Sequence, residues 1–342
     1  MAKVLVAGAG GYIGIPLCKK LLDRGHSLIA LDRFFFGKHH VDELAENFNA
    51  AIVVEDIRDF DPEVLREVDT VVDLAGLSND ASAAINSSLT RSINCEGGMR
   101  LARLSKEGGV RRYVYASSAS VYGQGIRDRL TESDECRPQT LYAETKLRVE
   151  EFLGQLADSG FETVIFRNAT AFGLAPRMRF DLAVNIMTLR AWKERVIYIM
   201  GSGEQWRPFI HINDVVQALI LGVEEKAELV AGETFNVGSE DMNYQIRQLA
   251  QFVRDVIPHV AVHRIPDDPD KRTYNLSFAK IKQRLGFEPS IRVHEGIVEI
   301  KQALERGAIT GEDPTCYTLQ WYRSLLEWEQ RIRALTLRDR IL

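Results

Sequence analysis

Short, mostly apolar runs recur through the first half of the chain. They cover residues 3–7 (Lys3-Val4-Leu5-Val6-Ala7), 27–31, 51–54, 70–74, 112–116 and 163–166. Little polar alternation interrupts them, as expected of strands buried on both faces of a parallel sheet. Segments with helical spacing of apolar positions separate them, clearest at 15–22, about 90–106 and about 142–156. Alternating strands and helices predict an α/β, doubly wound parallel sheet with helices on both faces. After about residue 174 the alternation loosens. Proline, glycine and arginine punctuate 174–179, and residues 201–214 read Gly-Ser-Gly-Glu-Gln-Trp-Arg-Pro-Phe-Ile-His-Ile-Asn-Asp. A smaller α+β C-terminal lobe over the sheet edge is expected, and an amphipathic helix within 317–333. That helix is expected to pack on its own protein or on a second subunit.

The turn after the first run carries the first chemical signal. Gly8, Gly11 and Gly14 stand between strand 3–7 and helix 15–22, and the next strand ends at Asp32. Glycines at such a turn admit a pyrophosphate to the backbone, and the helix N-terminus offers it N–H donors. Asp32, eighteen residues after Gly14, is placed to accept from the adenosine ribose hydroxyls. Its carboxylate would repel a 2′-phosphate, which favours NAD; Arg33 beside it keeps NADP open. The spacing is G-x-x-G-x-x-G, because position 13 is Ile13 where the common dehydrogenase spacing needs glycine. In such sheets ligands bind at the carboxyl ends of the strands. Asp56, Ala75-Gly76 and Ser117-Ser118 fall there as well.

Composition narrows the class. The chain has 342 residues, 45% hydrophobic and 27% charged, with a formal net charge of −5. That charge argues against a general nucleic-acid surface, so any anionic ligand must be held by local cations. No apolar run reaches the roughly 18 residues of a membrane span. The N-terminus enters a strand at once, with no room for a signal core. Cys18, Cys95, Cys136 and Cys316 are scattered without a C-x-x-C, which fits reduced thiols in a cytoplasmic protein and leaves no zinc or other metal site.

Tyr142 and Lys146 stand four apart in a helical segment and share one face. An ammonium beside a phenol favours the phenolate, which would let Tyr142 act as an acid or base near neutrality. With these motifs assembled, the chain resembles the extended short-chain dehydrogenase/reductase family, the nucleotide-sugar epimerases and dehydratases with a Rossmann sheet. The resemblance covers roughly residues 3–305. It rests on Gly8, Gly11, Gly14, Asp32, Asp56-Ile57, Leu74-Ala75-Gly76, Asn94, residues 117–123, Tyr142 with Lys146, residues 207–211 and residues 270–274. It implies NAD contacts at Tyr12, Ile13 and Arg33 besides the residues just named. It implies that Ser118 binds the sugar hydroxyl being oxidised, that Tyr142 takes its proton, and that Lys146 binds the nicotinamide ribose and depresses the Tyr142 pKa. Ser117 is the second candidate for the Ser118 role.

Two departures from the family pattern bear on the reaction. The dehydratases carry Asp and Glu where this chain has Ala119 and Ser120, and neither of these can protonate a leaving hydroxyl or take a C5 proton. The usual substrate-binding Asn is Thr170, with Asn168 as a substitute. Arg207 and Arg272 match positions that hold the substrate diphosphate. Arg177, Arg179 and Asn185 fall in the corresponding loop and helix, and Ser78 is a further substrate contact. The resemblance therefore implies an NAD-dependent nucleotide-sugar epimerase acting at C4 through a transient 4-keto sugar. A net 4-dehydrogenase is the runner-up; a dehydratase or a non-catalytic NAD-binding protein follows. The expected organisation is an NAD-binding domain over 1–173, joined by parts of 209–235, a substrate lobe over 174–310 and a helical extension over 311–342. A homodimer pairing helices near 90–106 and 142–156 is expected by resemblance.

Overall fold

The computed structural model describes residues 1–125, 128–266, 272–338 and 340. Asp270 and Lys271 of the resemblance motif lie outside the described residues. The strands are β1 Lys3–Ala7, β2 Ser27–Asp32, β3 Ala50–Val54, β4 Thr70–Asp73, β5 Arg112–Ser118, β6 Glu162–Asn168, β7 Thr170–Phe172, β8 Val196–Met200, β9 Trp206–His211, β10 Glu233–Val237, β11 Asn243–Gln245 and β12 Ala261–Ile265. Seven of them form one parallel sheet in the order β10-β6-β5-β4-β1-β2-β3. The chain moves outward from β1 in one direction and from β4 in the other. The crevice between β1 and β4 is therefore the topological switch point where such sheets take ligands.

Strand alternation sorts the apolar side chains into two cores. Val4 and Val6 face a core that includes Ile15 and Leu17 of helix Gly14–Asp23, and Ala218 and Leu219 of helix Ile212–Glu224. Leu5 and Ala7 face the other, with Leu101 of helix Gly98–Glu107 and Val149 and Leu153 of helix Leu141–Leu156. Val4, Leu5, Val6 and Ala7 are all fully buried. Burial of a Val or Leu side chain stabilises by about 1.5–3 kcal/mol, which is why a strand so short needs both faces covered. Residues 212–237 return to the large sheet, because β10 pairs in parallel with β6, Phe235 opposite Phe166.

The remaining strands make a three-stranded sheet, β11-β9-β7, and a β12-β8 pair. Helices Ala183–Lys193, Ile246–Val256 and Val293–Glu305 pack around a third core holding Phe172, Phe209 and Ile297. Helix Thr318–Leu335 follows. Its first turns pack on the body of the protein, whereas Trp328, Ile332 and Leu335 are exposed. The helix expected near 90–106 differs in its first half, where residues Arg91–Gly97 form a π-helical segment.

Candidate active site

A cavity of about 670 Å³ runs along the carboxyl ends of the strands. Gly8, Gly11, Tyr12, Ile13 and Gly14 line one side of its floor. The turn is built so that no side chain fits it. Gly8 has φ +83°, and a Cβ there would stand 2.8 Å from the Leu74 carbonyl carbon; a Cβ on Gly14 would meet the Gly8 carbonyl oxygen at 2.2 Å. Only backbone can form this cradle, which leaves an open floor before helix Gly14–Asp23 that fits a dinucleotide diphosphate. Tyr12 is pinned: its hydroxyl donates to the Gly173 carbonyl at 2.6 Å.

Asp32 closes β2 and lines the cavity. Its carboxylate accepts from the Gly10 and Phe34 amides at 3.0 and 2.6 Å. Burial raises its pKa, against those amides and Arg177. Arg33 lies 5.2 Å over the Phe35 ring and 4.0 Å from Asp56. Burial acts to raise the Asp56 pKa, but the paired Arg58, at 2.8 and 2.6 Å, holds it below the usual value. Ile57, Leu74, Ala75 and Gly76 complete this wall. Asn94 does not reach the cavity lining. From the π-helical segment its Oδ1 accepts from Leu77 N at 2.7 Å and its Nδ2 donates to Leu77 O at 3.1 Å. It therefore shapes the loop that carries Ser78, which does line the cavity.

Ser118, Tyr142 and Lys146 come together on the same cavity. Ser118 ends β5 and caps the following turn, accepting from the Ser120 hydroxyl at 2.9 Å. Tyr142 lies in the first turn of helix Leu141–Leu156, whose N-cap is Thr140. Burial pushes the Tyr142 phenol up to about 12; Asp80 adds to the rise, while the Ser118 hydrogen bond and Arg179 oppose it. Lys146 lies one helical turn on and is buried. Its ammonium donates to the Ala116 carbonyl at 2.8 Å and lies 4.6 Å over the Tyr115 ring. Burial lowers its own pKa to about 8, against Asp73 and Glu150. Arg179 is a further cation that acts on Tyr142. Ser117, the alternative to Ser118, turns its hydroxyl to Glu150, which is paired with Arg167 at 2.7 Å.

The arginines divide. Arg207 and Arg272 line the cavity, with Arg207 5.0 Å over the Tyr274 ring and Arg272 paired with Asp80 at 2.8 Å. Arg179 is paired with Asp181 at 2.6 Å. Arg177 is not with Arg207 and Arg272. It lies 3.5 Å over the Phe36 ring, and Arg177 is among the charges acting on Asp32. Asn185 is behind the lining: it accepts from Gly173 N at 3.1 Å and donates to Arg179 O at 3.0 Å. Thr170 lines the cavity, as does Asn168, whose buried Oδ1 has no hydrogen-bond partner. His211 is structural: fully buried, it caps helix Ile212–Glu224 and meets Glu299 at 2.9 Å.

Sequence reasoning passed over Asp80, Phe36 and Tyr322, all of which line the cavity. Asp80 follows Ser78 by two residues, so the loop after β4 was the signal for it. Tyr322 comes from the C-terminal helix and has no local signature.

Comparison with known proteins shows the family. Residues 4–238 match the model of the NAD dependent epimerase/dehydratase family. A Bacillus subtilis protein described as an uncharacterized UDP-glucose epimerase, YtcB, is 28% identical over 86% of this chain and 95% of its own. UDP-glucuronic acid decarboxylase 1 of Arabidopsis thaliana is 27% identical over 91% of this chain and 71% of its own. The crystal structure of UDP-glucuronic acid 4-epimerase from Bacillus cereus, with UDP-glucuronic acid and NAD, superposes with a TM-score of 0.81 at 22% identity, over 89% of this chain and 99% of that one. A glycine cradle ending β1, an acid ending β2 and a Ser-Tyr-Lys constellation thus occur in a chain that belongs to the NAD dependent epimerase/dehydratase family.

Proposed function

We propose that the protein is an NAD-dependent epimerase acting at C4 of a nucleotide-diphosphate sugar through a transient 4-keto sugar. The observation that carries this reading is the Ser118–Tyr142 hydrogen-bonded pair, followed by Ala119 and Ser120, which bring no carboxylic acid. Such a wall can move a proton and leave the other substituents of the sugar alone.

Bound NAD supplies the acceptor for the C4 hydride and gives the hydride back. Ser118 holds the C4 hydroxyl by a hydrogen bond, and Tyr142 takes the hydroxyl proton as the C4–O bond becomes a carbonyl. After the keto sugar turns over in the pocket, Tyr142 returns that proton to the oxygen, so no proton or electron pair is gained or lost overall. With its pKa pushed up to about 12, Tyr142 holds its proton near neutrality and is a weak acid. The first half needs cationic help, for which Arg179 and Lys146 are placed. Arg207 and Arg272, planar multi-donor cations lining the cavity, suit the diphosphate. Asn168 is favoured over Thr170 for a sugar contact by its unpartnered Oδ1. Pairing of helices 98–107 and 141–156 across a homodimer axis is part of this reading.

The test is incubation with nucleotide sugars without added NAD, products resolved by NMR. The expected result is a C4 epimer with no rise in absorbance from NADH. NADH accumulating in step with a keto product would replace the epimerase by a 4-dehydrogenase.

A further inference from the structure

The last helix closes one end of the dinucleotide cavity. Tyr322, in the second turn of helix Thr318–Leu335, lines the cavity together with Asp32, Phe35 and Phe36. Its ring meets Phe35 edge-on at 6.1 Å and Phe36 at 5.5 Å. Next to it, the Trp321 indole N–H donates to the Phe35 carbonyl at 2.6 Å. These contacts join residues nearly three hundred positions apart, and they fix the segment that follows the ribose-facing acid.

Arg177 joins the same assembly. It is 2% exposed. Its Nη2 donates to the Thr315 carbonyl at 3.0 Å and to the Thr318 hydroxyl at 2.8 Å, at the start of the helix. The guanidinium lies on the Phe36 ring, and its Nε is buried without a partner. Asp32 and Asp181 act on this buried cation through space and without a direct ion pair, so an anionic ligand would offset the rest of its desolvation cost. The guanidinium lines a cavity whose floor is a diphosphate cradle.

We infer that the C-terminal helix completes the dinucleotide site: Tyr322 walls the adenosine end beside Asp32, Trp321 clamps the Phe35–Phe36 strap, and Arg177 faces the anionic ligand from the opposite side. Arg177 is therefore a cofactor-binding residue, not a holder of the sugar diphosphate. The ligand class is a dinucleotide with free adenosine ribose hydroxyls, since Asp32 stays at the centre of the wall. A cofactor enclosed this way leaves only when the helix lifts, so it is retained over many turnovers. This retention suits a reaction in which the cofactor is regenerated in place, but the inference rests on the family's cofactor rather than on the proposed epimerisation.

The test uses the full chain loaded with NADH and chased with excess NAD, release being followed by NADH fluorescence in the absence of any sugar. Tyr322→Ala is expected to speed release roughly tenfold or more, through loss of two aromatic contacts. Trp321→Phe, which removes the indole N–H and keeps a smaller aromatic ring, is expected to speed it by a factor of roughly five. Ile332→Ala, on the exposed end of the same helix, leaves release unchanged. Release from Tyr322→Ala and Trp321→Phe within about twofold of the parent protein overturns the inference. Should Tyr322→Ala fail to fold, Trp321→Phe alone decides it. An inactive but NADH-retaining protein would count against the epimerase reading and leave this one standing.

Discussion

Lys146 is a buried cation whose proton should be visible in stability. Its pKa is lowered from 10.5 to about 8 by burial, with Asp73 and Glu150 pulling the other way. Between those two values the unfolded chain holds a proton that the folded protein has released. The folded state therefore binds fewer protons, and stability must rise with pH across the window. At about pH 7 both states are protonated and the full cost of the buried charge is present. At about pH 9.5 the folded protein is favoured by a factor of about 30, about 2 kcal/mol. Other groups titrate over the same range, so the quantity to measure is a difference. Urea unfolding of the NAD-stripped protein is compared with that of Lys146→Met at several pH values. Loss of the hydrogen bond to the Ala116 carbonyl gives the variant an offset that does not vary with pH. The gap between the two proteins should move in favour of the parent by about 2 kcal/mol from pH 7 to about 9.5. A gap constant to within about 0.5 kcal/mol, the scatter of such extrapolations, would refute the placement of a charged Lys146 in a desolvated site.

The other expectations concern the reaction and the cradle. Tyr142→Phe should lower turnover by roughly 10² to 10⁴ while NAD binding, followed by fluorescence quenching, changes little. Asp80→Asn removes a negative charge that raises the Tyr142 pKa, so the pH at which activity rises should move to lower values in a pH–rate profile; a profile unmoved by the change would remove Asp80 from the site's electrostatics. Gly14→Ala puts a methyl 2.2 Å from the Gly8 carbonyl oxygen. Strain of about 1–3 kcal/mol should lower the melting temperature, and the purified variant should carry less NAD than the parent.

The part of the fold that was legible is the part in which local sequence and burial agree. β1, β2 and β4 are apolar on both faces because helices cover both, so each appears as an unbroken run. β10 was harder to see because Thr234 and Asn236 alternate with Phe235 and Val237, and it lies at the edge of the sheet with β6 on one side only. β7 and β11 have three residues each, too few for a period. The π-helical segment around Asn94 has no sequence signature at all. Its reason is tertiary: Asn94 must turn both ends of its amide to the Leu77 backbone.

The same division runs through the site. Gly8, Gly11, Gly14 and Asp32 follow one another along a single strand-turn-helix-strand unit, so their chemistry could be inferred from spacing. Tyr142 and Lys146 share a helix, and their adjacency was equally legible, but the electrostatics that govern Tyr142 were not. Asp80 comes from the loop after β4, Arg179 from the segment after β7, and both reach the tyrosine only through the fold. Spacing placed Lys146 one turn from Tyr142, whereas the fold brings Arg179 within reach of it as well and turns the Lys146 ammonium toward the Ala116 carbonyl. Arg177 is a parallel case. It is two positions from Arg179, yet its own bonds go to Thr315 and Thr318 while Arg179 pairs with Asp181. Proximity in sequence fixes which residues share a face; it does not fix which ligand that face meets, because here the decisive partners are supplied by the C-terminal helix.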